Sequence, residues 1–324
     1  MAMIEVIKPG LETSIQDWPG RLGYANQGFP ASGPMDSWSF RLANLLVGNP
    51  AGAAGFECQF IGPTLAFDND AVIAITGADL QATLDEMPVP LWESITVTAG
   101  QQLTMSFAKV GARAYLAVSG GIATEMCLGS RSTFHKAGIG GIEGQSIKEG
   151  ALIPIGDGDG KAGRRIKLNS RPTFSTNNRW IIEAVPGPND DWIDEAGHQQ
   201  FLTADWTLTG QSDRTGFRLD GPDWSFTEKA YKKPKEHGSD PSNIIDQGYP
   251  CGAINLAGQT PIILVSDGPS MGGFINPYVV PQAAFWKLAQ SSPGDIYNFK
   301  SIGVEEAQTL AHEIHLICTE ASVE

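Results

Sequence analysis

Short apolar bursts alternate with polar and turn-forming residues along most of the chain. Residues 3–8 alternate and predict a strand that Pro9-Gly10 ends. Residues 13–21 predict a short strand running into a Pro-Gly turn. From residue 60 onward the runs come in quick succession: 64–67, 71–76, 81–84, 95–97, 102–107, 114–118 and 150–155. Gly77-Ala-Asp79, Ala99-Gly100 and Gly120-Gly121 separate them. In the second half 179–185, 205–209, 253–256, 262–265 and 296–299 continue the pattern. Strands this short, at this spacing, predict closed or sandwiched antiparallel sheets.

Helical spacing is confined to a few places. Residues 37–47 place Phe40, Ala43, Leu46 and Val47 on one face, with Asp36 as N-cap and Gly48 as the stop. An acidic helix follows Pro186-Gly-Pro-Asn189, capped by Asn189 or Asp190. A short helix is predicted at 281–290 and a longer one at 304–318.

The chain has 324 residues, long for one core and suited to two domains. The division expected is a first domain over 1–158, a linker over 159–178 and a second domain over 179–324. The halves echo each other: Tyr115-Leu-Ala-Val-Ser-Gly-Gly121 and Ile262-Ile-Leu-Val-Ser-Asp-Gly268 are offset by about 147 residues. A net charge of −14 argues against nucleic acid or an anionic membrane as partner. Cys58, Cys127, Cys251 and Cys318 are scattered without a CxxC pair and read as reduced thiols. With neither a signal-like N-terminus nor an apolar run of membrane length, a cytoplasmic protein is expected.

Candidate chemistry gathers in three polar loops of the second half. Asp267-Gly-Pro-Ser-Met-Gly-Gly-Phe274 follows a predicted buried strand. A glycine-rich turn there exposes backbone N–H groups and admits a ligand closely; its alternative is a plain tight turn. Asp240-Pro-Ser-Asn-Ile-Ile-Asp246 and Gln211-Ser-Asp-Arg-Thr-Gly-Phe-Arg218 are the other two. In the first half, Ser32-Gly33 precedes a helix and could hold an anion or a carbonyl oxygen. Gln16, Asp17 and Arg21 read either as a polar rim around Trp18 or as an Asp–Arg pair locking a turn. Arg131 could hold a carboxylate or simply pair with a nearby acid. Residues 229–235 are basic and read as a solvated loop. Gly156-Asp-Gly-Asp-Gly-Lys161 lacks the spacing of a phosphate loop. His312, His315 and Cys318 drift around their helix rather than converging, so no metal site is expected.

A set of motifs carries a family resemblance. These are Ile7-Lys-Pro-Gly10, Ser14-Ile-Gln-Asp17, Pro19-Gly-Arg21, Gly33-Pro-Met-Asp36, Arg41-Leu-Ala-Asn44, Thr76-Gly-Ala-Asp79, Gly129-Ser-Arg-Ser-Thr133 and Ser212-Asp-Arg-Thr-Gly216. Together they resemble the second subunit of the allophanate hydrolase/5-oxoprolinase group, which overlaps the carboxyltransferase domain of biotin-dependent urea carboxylase (urea amidolyase). The loops at 240–246 and 267–274 look like the urea carboxylase branch; Asp240 stands where that family often has His.

The resemblance implies a mainly β fold of two tandem cyclophilin-like β-barrels with a few short helices. It implies a partner, the other carboxyltransferase half, together with biotin carboxylase and biotin carrier subunits. Biotin would be carried by a partner, since no Met-Lys-Met attachment motif occurs here, and ATP would be used by the complex. The expected activity is transfer of a carboxyl group from carboxybiotin to the nitrogen of urea or a similar small amide. Backbone N–H groups at Gly272 and Gly273, with Ser270, are the expected donors to a developing oxyanion. Asn243 and Asp246 suit a neutral amide, and Asp213, Arg214, Asp267 and Ser32 complete the expected binding set. Two other readings stay open: a subunit of an ATP-dependent 5-oxoprolinase working without biotin, and a non-catalytic regulatory subunit.

Overall fold

The computed structural model describes residues 2–324. They form two compact units. One comprises the chain up to Leu22, Ser32–Phe174 and Ile314–Glu324; the other comprises Gly23–Ala31 and Ser175–Glu313.

The first unit is built on two sheets. One has six strands in the order Leu152–Pro154, Met3–Lys8, Thr64–Phe67, Gln102–Thr104, Thr83–Leu84, Met87–Pro88. The other has five: Glu12–Gln16, Gly55–Gln59, Val110–Val118, Ala71–Asp79, Ser94–Val97. The strand Val110–Val118 shows why its sequence is a nearly unbroken apolar run. Ala114, Leu116 and Val118 face a core shared with Ile4, Val6 and Phe56. Tyr115 and Ala117 face the opposite way, into a second core with Phe40 and Leu46 of the helix Ser37–Leu46. A strand covered on both faces has no polar face to alternate with. The helix begins as expected: Asp36 Oδ1 accepts from the Ser39 backbone N–H (2.9 Å) and Oδ2 from the Ser39 hydroxyl (2.6 Å). Residues 165–167 of the expected linker pair with the chain end. Arg165 N–H donates to Glu324 O at 2.8 Å, Glu324 N–H returns to Arg165 O at 2.9 Å, and Lys167 N–H reaches Ser322 O at 3.0 Å.

The second unit holds a closed barrel. Its strands run Arg179–Pro186, Tyr278–Val279, Ala253–Ala257, Thr260–Leu264, Gly216–Asp220, Trp206–Leu208 and Ile296–Ser301, the last pairing parallel with the first. Closure removes open edges. Phe201, from the helix Glu195–Thr203, stacks on Tyr278 (4.2 Å between centroids) and Phe299 (4.3 Å) and fixes that helix to the barrel wall. The helix begins later than its sequence suggests. Its N-cap is Asp194, whose carboxylate accepts from Gly197 N–H at 2.8 Å, and Asn189 caps nothing. The reason lies in what else Asn189 binds, described below.

Two stretches read as loops pair with each other. Asn243–Gly248 and Met271–Phe274 form a two-stranded antiparallel arm separate from the barrel strands. The loop expected over 211–218 likewise turns into a barrel strand at Gly216. Among the described residues no helix is long and apolar enough to cross a membrane.

Candidate functional site

The arm brings four of the expected residues together. Asn243 pairs opposite Phe274, and Gln247 opposite Gly272. Gly272 lies flush against an aromatic ring: a Cβ there would stand 2.8 Å from both the ring and the hydroxyl of Tyr249. A Cβ on Gly273 would stand 3.1 Å from Ile244 O and 3.5 Å from Asp246 Oδ1. The two glycines thus permit a close approach of chains that any side chain would push apart. Ser270 begins this stretch, its hydroxyl donating to Ala25 O at 3.0 Å. Asn243 is anchored through its carbonyl, which accepts from Lys233 Nζ at 2.7 Å. Lys233 also donates to Asp240 O, and it lies 5.7 Å from the Trp192 ring centroid, so the basic stretch is tied down at this residue. Asp240 Oδ1 accepts from Ser242 N–H (2.9 Å) and its hydroxyl (2.7 Å), closing the turn before the arm.

Arg214 and Asp267 form a buried bidentate pair, 4% and 5% exposed, with Nε–Oδ2 at 2.9 Å and Nη2–Oδ1 at 3.3 Å. Asp267 N–H also donates to Arg214 O at 2.8 Å. The pair therefore locks the turn leading into the arm to the turn before the barrel strand at Gly216. Asp213 is exposed; its Oδ1 accepts from Thr215 N–H (2.7 Å) and Gly216 N–H (3.2 Å), folding its own loop. Ser32 belongs to the other unit, with positive φ (56°) and a buried hydroxyl without a partner.

Behind the arm lies a cluster that sequence reasoning did not single out. Four amide side chains meet there: Asn189, Gln247, Asn255 and Asn276. Asn189 Oδ1 accepts from Gln247 Nε2 (2.6 Å) and from the Asn276 backbone N–H (2.9 Å). These bonds are why Asn189 caps no helix. Asn255 Nδ2 donates to Asn276 Oδ1 at 2.7 Å, which leaves Asn276 Nδ2 as a donor. Asn276 is fully buried, and that Nδ2 has no partner. A buried amide donor left unpaired carries a desolvation penalty of about 1–3 kcal/mol. Gly187 makes the packing possible: a Cβ on it would stand 2.2 Å from Asn276 O. Tyr249 closes the cluster on the arm side, its hydroxyl accepting from Phe274 N–H at 2.6 Å. Burial pushes the Tyr249 phenol up, opposed by its bonds to Phe274 and Asn255 and aided by the Asp246 charge. The signal that could have found this cluster is Asn-Pro at 276–277 three residues beyond the glycine pair, together with Asn189 and Asn255.

The polar residues expected at the start of the first unit turn inward. Asp17 accepts from the Ser130 hydroxyl (2.5 Å), the Ser132 hydroxyl (2.6 Å) and Arg131 N–H (2.7 Å). Arg21, 1% exposed, donates to Ser132 O at 2.8 Å. Arg131 Nε donates to Thr124 O at 2.7 Å. Gln16 is fully buried, so these residues form a structural knot and not a rim. His315 Nδ1 lies 3.2 Å from Arg41 Nη2, and Cys318 Sγ faces Trp38 O at 3.8 Å. Among the described residues no group of three or more His, Cys, Asp and Glu converges as metal ligands.

The profile of the carboxyltransferase domain, subdomain A and B, matches residues 27–301. The chain belongs to that carboxyltransferase-domain family. It is 38% identical over 317 residues to a urea amidolyase of Lachancea kluyveri, covering 94% of this chain and 17% of that protein. It is 34% identical over 309 residues to a 5-oxoprolinase subunit of Escherichia coli, covering 94% of this chain and 93% of that protein. The crystal structure of Kluyveromyces lactis urea carboxylase superposes with a TM-score of 0.90 at 37% identity, covering 99% of this chain and 29% of that one. The chain therefore spans under a third of these two urea-processing relatives and nearly all of the 5-oxoprolinase subunit. These matches bear out the family resemblance and the mainly β architecture read from the sequence motifs.

Proposed function

We propose that this chain is one half of a carboxyltransferase that carboxylates the nitrogen of urea or a similar small amide. The observation that carries the reading is the unpartnered, fully buried Nδ2 of Asn276, whose amide is oriented by Asn255 and whose backbone is held by Asn189. A donor of this kind suits the carbonyl oxygen of a urea-type group. Acid–base chemistry is not what it offers, because a carboxamide does not titrate. Asp246 and Asn243, on the arm, suit the substrate's N–H groups. Gly272 and Gly273 let Tyr249 and Ile244 pack close against the arm, which sets its shape. Ser270 and the Arg214–Asp267 pair hold the arm's entry in place. The chain's own work is then to bind, orient and exclude water, with electrostatic help where negative charge develops on a carbonyl oxygen.

Biotin carried by a partner fits the same arm beside the substrate, since its ureido ring also presents a carbonyl oxygen that backbone N–H groups can hold. When delivered, it supplies the carboxyl group. The backbone N–H groups of Gly272 and Gly273 would hold its ureido oxygen, leaving Asn276 Nδ2 to the substrate amide. The partners are then the other carboxyltransferase half and the biotin carboxylase and carrier subunits, with ATP consumed by the complex. Higher identity to the urea amidolyase (38%) than to the 5-oxoprolinase subunit (34%) supports this branch.

A second reading is favoured by one observation: the chain is 34% identical to the 5-oxoprolinase subunit across 93% of that protein. In that case the Asn276 donor receives a lactam carbonyl. The two readings separate in the reconstituted complex. Avidin-sensitive ATP hydrolysis that depends on urea supports the carboxyltransferase. Avidin-insensitive ATP hydrolysis that depends on 5-oxoproline replaces it with the lactamase.

A further inference from the structure

The first unit contains a cavity of about 350 Å³ that the proposed function leaves unused. Small-ligand pockets typically measure roughly 300–1,000 Å³. Leu91, Trp92, Val110 and Leu168 supply apolar walls. Leu168 is 81% exposed and Val110 44%, so these two side chains are a rim and not part of the core. Trp92, only 8% exposed, is the floor. Its backbone has φ of 62°, in the left-handed region that a bulky residue rarely occupies. Two backbone bonds hold it there: its N–H donates to Ile75 O at 2.8 Å, and its carbonyl accepts from Ile166 N–H at 3.0 Å.

Two charged side chains line the same space. The Arg171 guanidinium carbon stands 5.8 Å from the centroid of the Trp92 ring. Its Nε and Nη2 both donate to Ile166 O, at 3.0 and 2.6 Å, which leaves Nη1 without a protein partner. Arg171 joins none of the ion pairs among the described residues. Burial lowers its pKa, and the Glu324 charge opposes that shift. Asp79 is the other charge. Its Oδ1 accepts from Gln81 N–H at 2.9 Å, and its Oδ2 is free. One cation, one carboxylate and an aromatic floor therefore share a single cavity.

We propose that this cavity binds a free α-amino acid with an apolar side chain. The carboxylate sits on Arg171, the ammonium on Asp79, and the side chain lies over Trp92 beneath Leu168 and Val110. A neutral apolar ligand would desolvate both charges without pairing either. An inorganic anion would satisfy Arg171 alone and leave the apolar walls in water. The inference is independent of the carboxyltransferase reading, because every residue in it lies in the first unit and none belongs to the amide cluster.

Isothermal titration calorimetry on the whole chain tests it, with leucine and phenylalanine as probes beside their carboxamide and N-acetyl forms. The expected result is saturable binding of the free amino acids. It weakens at least about tenfold when the carboxylate is amidated, when the amine is acetylated, and in Arg171→Gln and Asp79→Asn. Asp79→Asn keeps an oxygen for Gln81 N–H, so the fold is retained while the charge is lost. Absence of binding at up to about 5 mM amino acid overturns the proposal. So does binding that survives both substitutions, and so does equal affinity for the N-acetyl forms.

Discussion

Asp17 and Asn276 each sit at the centre of a polar cluster, one in each unit, and the two side chains differ in how completely they are satisfied. Around Asp17 every short bond is accounted for: two hydroxyls and a backbone N–H reach its carboxylate within 2.7 Å. Around Asn276 the acceptor is used and the donor is not. A saturated side chain has nothing left to offer a ligand and serves the fold. An unsaturated one keeps a standing desolvation penalty that a ligand relieves on binding. The same contrast separates Arg214, fully engaged with Asp267, from Arg171, which pairs with no carboxylate.

The comparison breaks most readily at its saturated end. Asp17→Ala strands the Ser130 and Ser132 hydroxyls and the Arg131 N–H, and is expected to destabilise the protein by about 3–5 kcal/mol in urea unfolding. Arg214→Ala leaves Asp267 buried and unpaired, with a similar loss of about 3–5 kcal/mol. A double replacement by apolar residues, Arg214→Met with Asp267→Leu, recovers most of that loss, which separates the removal of a charge partner from the removal of packing. Gly272→Ala drives a methyl group against the Tyr249 ring and is expected to lower stability by about 1–3 kcal/mol, with the arm displaced and turnover reduced. Far-UV circular dichroism during urea unfolding, alongside the complex's turnover, checks this.

The smallest effect lies at the surface. Arg179, then Asn298, hold the Asp205 carboxyl down at about 2. A depressed carboxyl contributes stability above its unfolded value, and the contribution is lost as pH falls from about 4 towards 2. The pair is about half exposed, so Asp205→Asn is expected to flatten the acid limb of unfolding only slightly.

Much of the fold was legible because the core obeys local rules. The alternation at Met3–Lys8, the Asp36 cap and the spacing from Val304 each reappear as a strand, a helix start and a helix, Val304–Ile317. The arm was not legible, since Asn243–Gly248 and Met271–Phe274 carry glycine, proline neighbours and polar residues that favour loops. They become strands only by pairing with each other across more than twenty residues of chain. Asn189 misled for a related reason. Its local context after Pro188 is that of a cap, but two long-range partners, Gln247 and Asn276, claim its side chain. Among the candidate residues, Asn243, Asp246, Gly272 and Gly273 were visible as polar and glycine-rich stretches. Asn255 and Asn276 sit in otherwise apolar runs, where an amide looks like an ordinary core substitution until its unpaired atom is seen.

The most direct test of the amide cluster is the steady-state kinetics of Asn276→Ala in the reconstituted complex, with urea as the varied substrate. The variant removes the unpaired donor and leaves Asn255 Nδ2 without its acceptor, so a loss of about 1–3 kcal/mol in stability accompanies it. Rates are therefore compared for folded protein at a temperature well below unfolding. The account predicts that kcat/KM for urea falls at least about a hundredfold, since a site built around a hydrogen bond loses heavily without it. An unchanged kcat/KM in the folded variant would contradict the assignment of this cluster as the place where the amide binds.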